Sequence, residues 1–178
     1  CMMNCLANGK LVKNKNYKNF FVSYCPGDNG GAIGSALLSY KKKLNLKSFQ
    51  NPYLGTRINK PGELISLLKK NKLIYKKFSN ISDLNKKLVN ELINKKIVAI
   101  FRGNMEFGSR ALGNTSIICD PRLSDAKKII NSRVKLREKF RPFAPTIIED
   151  DVQDWFKDPI KSPYMSFVLK FKENKKRF

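Results

Sequence analysis

Apolar positions change their spacing several times along this chain, and each change predicts an element. Residues 1–12 read as the end of a strand running into a short helix. Phe20-Phe21-Val22 predicts a short buried strand, ended by the break Cys25-Pro26-Gly27-Asp28-Asn29-Gly30-Gly31. Ala32, Ile33, Ala36, Leu37 and Tyr40 recur at the spacing of a helix face, which predicts a helix from about Gly31 to Lys43. Leu46 to Gly62 carries Pro52, Gly55, Pro61 and Gly62, the composition of a connector, and a domain boundary is expected there. Beyond it, Glu63 to Lys70 predicts a helix and Leu73 to Phe78 a strand. Ser82 is the expected N-cap of a helix with Leu84, Leu88, Val89, Leu92 and Ile93 on one face. Ile97 to Phe101 is an apolar run of strand length, and Ser116 to Cys119 a second strand. Ser124 is the expected cap of a helix carrying Ala126, Ile129, Ile130 and Val134. Pro145 to Ile148 and Tyr164 to Phe171 read as strands flanking a helix at Asp150 to Phe156. Strands alternating with helices predict an α/β fold class.

Composition narrows the class without changing that picture. The 178 residues suffice for one ordinary domain or for parts of two, and 42% hydrophobic content argues for a packed fold over disorder. No apolar run approaches the length of a membrane span, so no membrane partner is expected. The chain opens on Cys1 and closes on a segment, YMSFVLKFKENKKRF, in which a strand is still running, so both ends are expected to be cut. Cys1, Cys5, Cys25 and Cys119 show no framework spacing, and reduced thiols in a cytoplasmic setting are the expectation. Histidine is absent, which closes any Ser-His-Asp or Cys-His reading within this chain.

A net charge of +22 invites a nucleic-acid partner. Lysine and asparagine are spread through every segment, however, as in Lys13-Asn14-Lys15-Asn16 and Lys69-Lys70-Asn71-Lys72, and that spread fits solvated faces better than a binding patch. Nucleic acid is therefore not the expected partner. Arginine is distributed differently: six of the eight lie between Arg102 and Arg141. In a chain that otherwise uses lysine, such clustering points to the guanidinium itself, a planar fork of donors that grips phosphate or carboxylate oxygens in pairs.

Two motifs hold these arginines. The loop Arg102-Gly103-Asn104-Met105-Glu106-Phe107-Gly108-Ser109-Arg110-Ala111-Leu112-Gly113-Asn114 follows a buried strand, and its glycines let the backbone approach a ligand closely. Lys135, Arg137 and Arg141 follow within one short stretch, just before the rigid turn Arg141-Pro142-Phe143-Ala144-Pro145. Taken singly, each reads more readily as a plain turn or a wet face than as a site. Arg137 reads either as part of the same cluster or as an ion-pair partner of Glu138 or Asp150. Glu106 is expected to orient an arginine, and Phe107, Phe140 and Phe143 to be core.

The strings RGNMEFGSRALGNTSIICDPR and VKLREKFRPFAP resemble the signature of the O-carbamoyltransferases of nodulation-factor and antibiotic pathways. NCLANGKL and PGDNGGAIGSAL resemble the same family in the same order, with NPYLG and SPYM as lesser matches. The resemblance implies the end of an actin/sugar-kinase-like transferase domain over residues 1–56. It implies the start of a threonylcarbamoyl-AMP-synthase-like (YrdC-like) α/β domain over residues 57–178. It further implies an enzyme that makes carbamoyl-adenylate from carbamoyl phosphate and ATP, then passes the carbamoyl group to a hydroxyl of a small sugar-like or antibiotic-like acceptor. The chain alone is expected to be inactive. Arg110, Lys135 and Arg141 match the family's catalytic and phosphate-binding positions, Arg137 is grouped with them as a binding residue, and Met165 falls at a nucleotide-contacting position. Asp28 matches a carboxylate that shares a metal, expected to be Fe(2+), with two histidines that this chain does not contain. Asn104, Ser109 and Thr115 stand where the family commonly has arginine, proline and arginine.

The implied chemistry has a clear electrostatic need. Carbamate attacking the α-phosphorus of ATP brings anionic oxygens together, and Arg110, Lys135 and Arg141 are expected to converge and supply the compensating charge. Two alternatives remain beside it: a tRNA threonylcarbamoyl-type modification enzyme, and a basic RNA-binding module.

Overall fold

The structure, a computed structural model, describes residues 2–14, 16–40, 50–58 and 60–175. Its contacts form two compact units. The first comprises Cys1–Leu54, Glu106–Leu112 and Ala144–Phe178; the second comprises Gly55–Met105 and Gly113–Phe143.

In the first unit, α1 (Cys5–Leu11) begins at Asn4, whose side chain accepts the Ala7 N–H at 3.0 Å. Helix α2 (Asp28–Ser39) starts three residues before its predicted start, because Gly27 caps it and Asp28 places a carboxylate at its positive end. The predicted end near Lys43 lies outside the described residues. Phe20-Phe21-Val22 forms no strand; Val22 is buried while Phe21 is exposed. At the other end of the chain, a 3₁₀ turn (Glu149–Asp151) leads into α6 (Val152–Trp155) and β3 (Phe156–Lys157). Strand β3 pairs antiparallel with β4 (Lys170–Phe171), and the Phe156 and Phe171 rings stack at 4.8 Å. Trp155 meets Phe171 edge-on. The predicted strand at Pro145–Ile148 is absent, and only the last two residues of Tyr164–Phe171 pair.

In the second unit, α3 (Pro61–Lys70) has proline in its first turn, where the missing N–H leaves no bond unmade. Helix α4 (Ile81–Ile93) is capped by Asn80, not by Ser82 as predicted: the Asn80 side chain accepts the Asp83 N–H at 2.9 Å. Both residues are good caps, and Asn80 is the one whose oxygen reaches an orphan N–H. Asn80→Ala is expected to cost about 1 kcal/mol of stability while Ser82→Ala leaves it unchanged, as read from urea unfolding midpoints. Leu73–Phe78 is extended but unpaired, with Ile74 fully exposed. Strands β1 (Val98–Phe101) and β2 (Thr115–Ile118) pair antiparallel in the register Val98↔Ile118 to Phe101↔Thr115, and α4 packs on β1. The chain then enters α5 (Ala126–Ile129), which begins at Asp125 without a side-chain cap, so the predicted Ser124 cap does not form.

Helix α5 runs directly into a π-helical turn (Ile130–Val134), closed by Lys135 N–H donating to the Ile130 carbonyl at 2.8 Å. The α/β class holds, with the β content among the described residues made of these two antiparallel ribbons and an isolated antiparallel bridge, Arg57↔Asn104. Buried apolar side chains are few there too: Val22, Tyr24, Cys25, Ile130 and Phe156. No helix among the described residues is long and apolar enough to cross a membrane.

Candidate functional site

The glycine-arginine loop is the connection of the β1–β2 hairpin. Its base in the second unit is clamped by its own polar groups. Arg102 N–H donates to the Asn114 carbonyl at 2.9 Å, and Asn114 Nδ2 donates to the Asn104 carbonyl at 2.6 Å. Residues 55–57 run alongside, with Gly55 N–H on the Met105 carbonyl and Met105 N–H on the Thr56 carbonyl, both at 2.9 Å.

The middle of the loop, residues 106–112, belongs to the first unit and is braced from several sides. Glu106 accepts the Leu112 N–H at 2.7 Å, closing the loop on itself. Phe107 N–H donates to the carbonyl of buried Pro52 at 2.7 Å, and the Tyr53 hydroxyl donates to the Leu112 carbonyl at 3.0 Å. Gly108 has φ +127°, and a Cβ there would sit 3.2 Å from the Tyr24 carbonyl. The lesser motif SPYM contributes as well: the Tyr164 ring meets Tyr24 edge-on, and its hydroxyl donates to the Gln50 carbonyl at 2.5 Å. Burial, with neighbouring Tyr53, pushes the Tyr164 hydroxyl above its ordinary pKa, so it remains a donor.

Arg110 is the centre of this arrangement. Its guanidinium donates to the Tyr164 carbonyl at 3.0 Å, to the Met165 carbonyl, and to the Met3 carbonyl at 2.6 Å. Two predicted site residues, Arg110 and Met165, are thus brought into contact, and Met165 adopts the left-handed backbone, φ +56°. The next carbonyl, that of Ser166, accepts from Asn8 Nδ2 at 3.1 Å, while the same nitrogen donates to the Met2 carbonyl at 2.7 Å. Asn8 is 1% exposed. A buried amide and a guanidinium therefore hold three consecutive carbonyls, 164 to 166.

Lys135, Arg137 and Arg141 lie together in the second unit, on the turn that succeeds the π-helical residues. The turn is organised by Asn131, which is fully buried. Asn131 Nδ2 donates to the carbonyls of Lys139 at 3.3 Å and Arg141 at 3.0 Å. Its Oδ1 accepts from Arg137 Nε at 2.8 Å. Arg137 also lies over the Phe143 ring, 4.9 Å from its centroid. Arg137 does not pair with Glu138; that carboxylate takes Arg141 Nε at 2.9 Å. Glu138 is held below its usual pKa by a backbone hydrogen bond and by Arg141. The Lys135 ammonium has no partner among the described residues. Phe140 and Phe143 are exposed and so are not core. Arg122 fastens itself to Asp120, with Nε 2.9 and 3.0 Å from the two carboxylate oxygens, and brings the Asp120 pKa down to about 2.

Asp28 is exposed in the first turn of α2, and no group of three or more His, Cys, Asp or Glu side chains is gathered among the described residues. One carboxylate alone does not hold iron, so the described residues of this chain do not by themselves form a metal site.

Asn8 and Asn131 carry the local architecture yet escape sequence reasoning, because asparagine is abundant throughout this chain. The signal lay in their neighbours: Asn131 interrupts an otherwise apolar stretch of helix face beside Ile129 and Ile130.

The arginine-bearing hairpin loop and the basic turn ordered by Asn131 lie in the same C-terminal half of the chain. The family described as "Carbamoyltransferase C-terminus" matches residues 89–178, half of the chain, and the chain belongs to that family. It is similar to an uncharacterized protein of Synechocystis, 38% identical over 96% of this chain and 29% of the relative. It is also similar to the nodulation protein NolNO of Sinorhizobium fredii, 32% identical over 97% of this chain and 26% of the relative. The 3'-hydroxymethylcephem-O-carbamoyltransferase of Streptomyces clavuligerus is 25% identical over 97% of this chain and 32% of that enzyme. The chain spans less than a third of the length of each of these relatives.

Proposed function

We propose that this chain serves an O-carbamoyltransferase that consumes carbamoyl phosphate and ATP, with residues 1–56 closing an actin-like transferase domain and residues 57–178 opening a carbamoyl-adenylate-forming domain. The observation that carries the reading is the Lys135–Arg141 turn, inside the family-matched segment. There, a fully buried amide holds the Arg137 guanidinium and the carbonyls of Lys139 and Arg141, and the Lys135 ammonium, earlier on the same turn, has no partner among the described residues.

In the proposed reaction, water hydrolyses carbamoyl phosphate to carbamate and phosphate. A carbamate oxygen then bonds to the α-phosphorus of ATP as the bond to pyrophosphate breaks, giving carbamoyl-adenylate. The acceptor hydroxyl attacks the carbamoyl carbon, loses its proton, and releases AMP. Lys135, Arg137 and Arg141 neutralise the phosphate oxygens, while Arg110 fixes the backbone around Met165 at the nucleotide position. The acceptor is a small hydroxyl-bearing molecule, the class that the name of the Streptomyces relative describes.

The test is pyrophosphate release from ATP by the full-length protein, with and without carbamoyl phosphate. Release that requires carbamoyl phosphate, and falls at least about tenfold in Lys135→Ala, is the expected outcome. ADP formation in place of AMP, or ATP turnover indifferent to carbamoyl phosphate, would sink the reading.

A further inference from the structure

We propose that Asn131 is the positioning residue of the basic turn, setting the direction in which Arg137 presents its terminal nitrogens to a phosphate-bearing ligand. The inference rests on the reading of this turn as a phosphate site.

A primary amide with no exposure loses its hydration and must recover hydrogen bonds within the protein. Asn131 recovers all of them from one short stretch of chain. Its two amide hydrogens go to the Lys139 and Arg141 carbonyls, its oxygen takes Arg137 Nε, and its backbone carbonyl takes the Arg137 N–H at 3.0 Å. Four bonds from one residue thus fix the backbone on both sides of Glu138 and the plane of the Arg137 guanidinium.

The π-helical turn makes this possible. Closing a ring from Lys135 to Ile130 accommodates one more residue than an α-turn and rotates the residues beyond it. Leu136 then takes a left-handed backbone, φ +47°, and the chain folds back over Asn131. A guanidinium bound through Nε keeps its two terminal nitrogens as a free fork. With Phe143 against its face, the Arg137 fork is held in plane at the Nε edge and by stacking. The arrangement suits a tetrahedral, multiply charged anion, because a fork held in advance loses less rotamer freedom on binding. Lys135, four residues after Asn131 and without a partner among the described residues, supplies a further charge from the same turn.

The experiment measures pyrophosphate binding to the full-length protein by calorimetry, together with KM and kcat for carbamoyl phosphate and for the acceptor. Asn131→Ala is expected to weaken pyrophosphate binding and raise KM for carbamoyl phosphate by about tenfold or more, with KM for the acceptor unchanged. Asn131→Asp keeps an acceptor for Arg137 and is expected to recover part of the loss. Arg137→Lys leaves Asn131 and its carbonyl partners in place, so it reports on the fork even where Asn131→Ala fails to fold, and the same KM rise is expected. Unchanged pyrophosphate affinity in folded Asn131→Ala or in Arg137→Lys overturns the inference, as does a wild-type protein that does not bind pyrophosphate. Wild-type pyrophosphate binding that depends on Asn131, without any carbamoyl-phosphate-dependent turnover, supports the positioning role and overturns the proposed reaction instead.

Discussion

Arg110→Ala in the full-length protein is expected to abolish carbamoyl-phosphate-dependent pyrophosphate release and to destabilise the first unit. The two effects share one cause. The guanidinium is spent on three backbone carbonyls, those of Met3, Tyr164 and Met165, and removing it strands all three acceptors. Hydrogen bonds to a charged group contribute about 1.5–3 kcal/mol each and are not additive within one cluster, so a loss of about 2–4 kcal/mol is expected. Met165 holds a left-handed backbone that costs about 1 kcal/mol or more for a residue with a Cβ, and without Arg110 its carbonyl loses the partner that helps hold it there. The position expected to contact nucleotide would then be lost together with the clamp. Arg110→Lys separates charge from geometry. A single ammonium cannot serve three diverging carbonyls from one plane, so Arg110→Lys is expected to behave like the alanine variant. A lysine variant with full activity and an unchanged melting temperature would mean that charge alone matters at this position. Normal ATP–pyrophosphate exchange in Arg110→Ala would remove the residue from the reaction altogether.

The same cluster explains which parts of the fold were legible in the sequence. Helices α3 and α4 and strand β1 form where their apolar spacing places them, although neither helix fully buries a residue. Tyr164–Phe171 has the residues of a strand, but Arg110 and Asn8 take the carbonyls of residues 164–166. Further on, the Val168 N–H goes to the Cys5 carbonyl at 3.2 Å, and the ladder forms only at Lys170 and Phe171, where β4 meets β3. Leu73–Phe78 fails for a different reason: strand propensity needs a neighbouring edge to satisfy its N–H and C=O groups, and none lies beside it among the described residues. For the site, residue type was readable and partnership was not. The arginine clustering and the glycine loop pointed to segments that fall inside the family-matched residues. That Arg137 turns to Asn131, leaving Glu138 to Arg141, depends on the π-helical turn, which no spacing rule foresees.

Gly30→Ala is expected to be among the most damaging single substitutions in the first unit, and Gly31→Ala among the mildest, although the two glycines are adjacent and both lie in α2. A Cβ built on Gly30 would stand 2.1 Å from the Cys25 carbonyl oxygen and 3.3 Å from its carbon. Neither atom is a flexible side-chain tip. The clash must be relieved by moving the backbone of the Cys25–Gly27 turn, which also carries the N-cap of α2. Overpacking of this kind costs about 1–3 kcal/mol, and loss of the helix start would add to it. Cys25 and Tyr24 also lie against Gly108, so displacement of this turn reaches the arginine loop through contacts within the same unit. Gly31 meets nothing within 4 Å, and in a helix alanine is favoured over glycine by about 0.8–1 kcal/mol, so Gly31→Ala is expected to be neutral or stabilising. Thermal unfolding of the two variants side by side checks the pair. The comparison also separates two meanings of a glycine pair at a helix start: if both alanines were equally harmful, flexibility of the segment would be the requirement. An effect confined to Gly30 identifies the requirement as the space beneath one Cα, where the Cys25 carbonyl already sits.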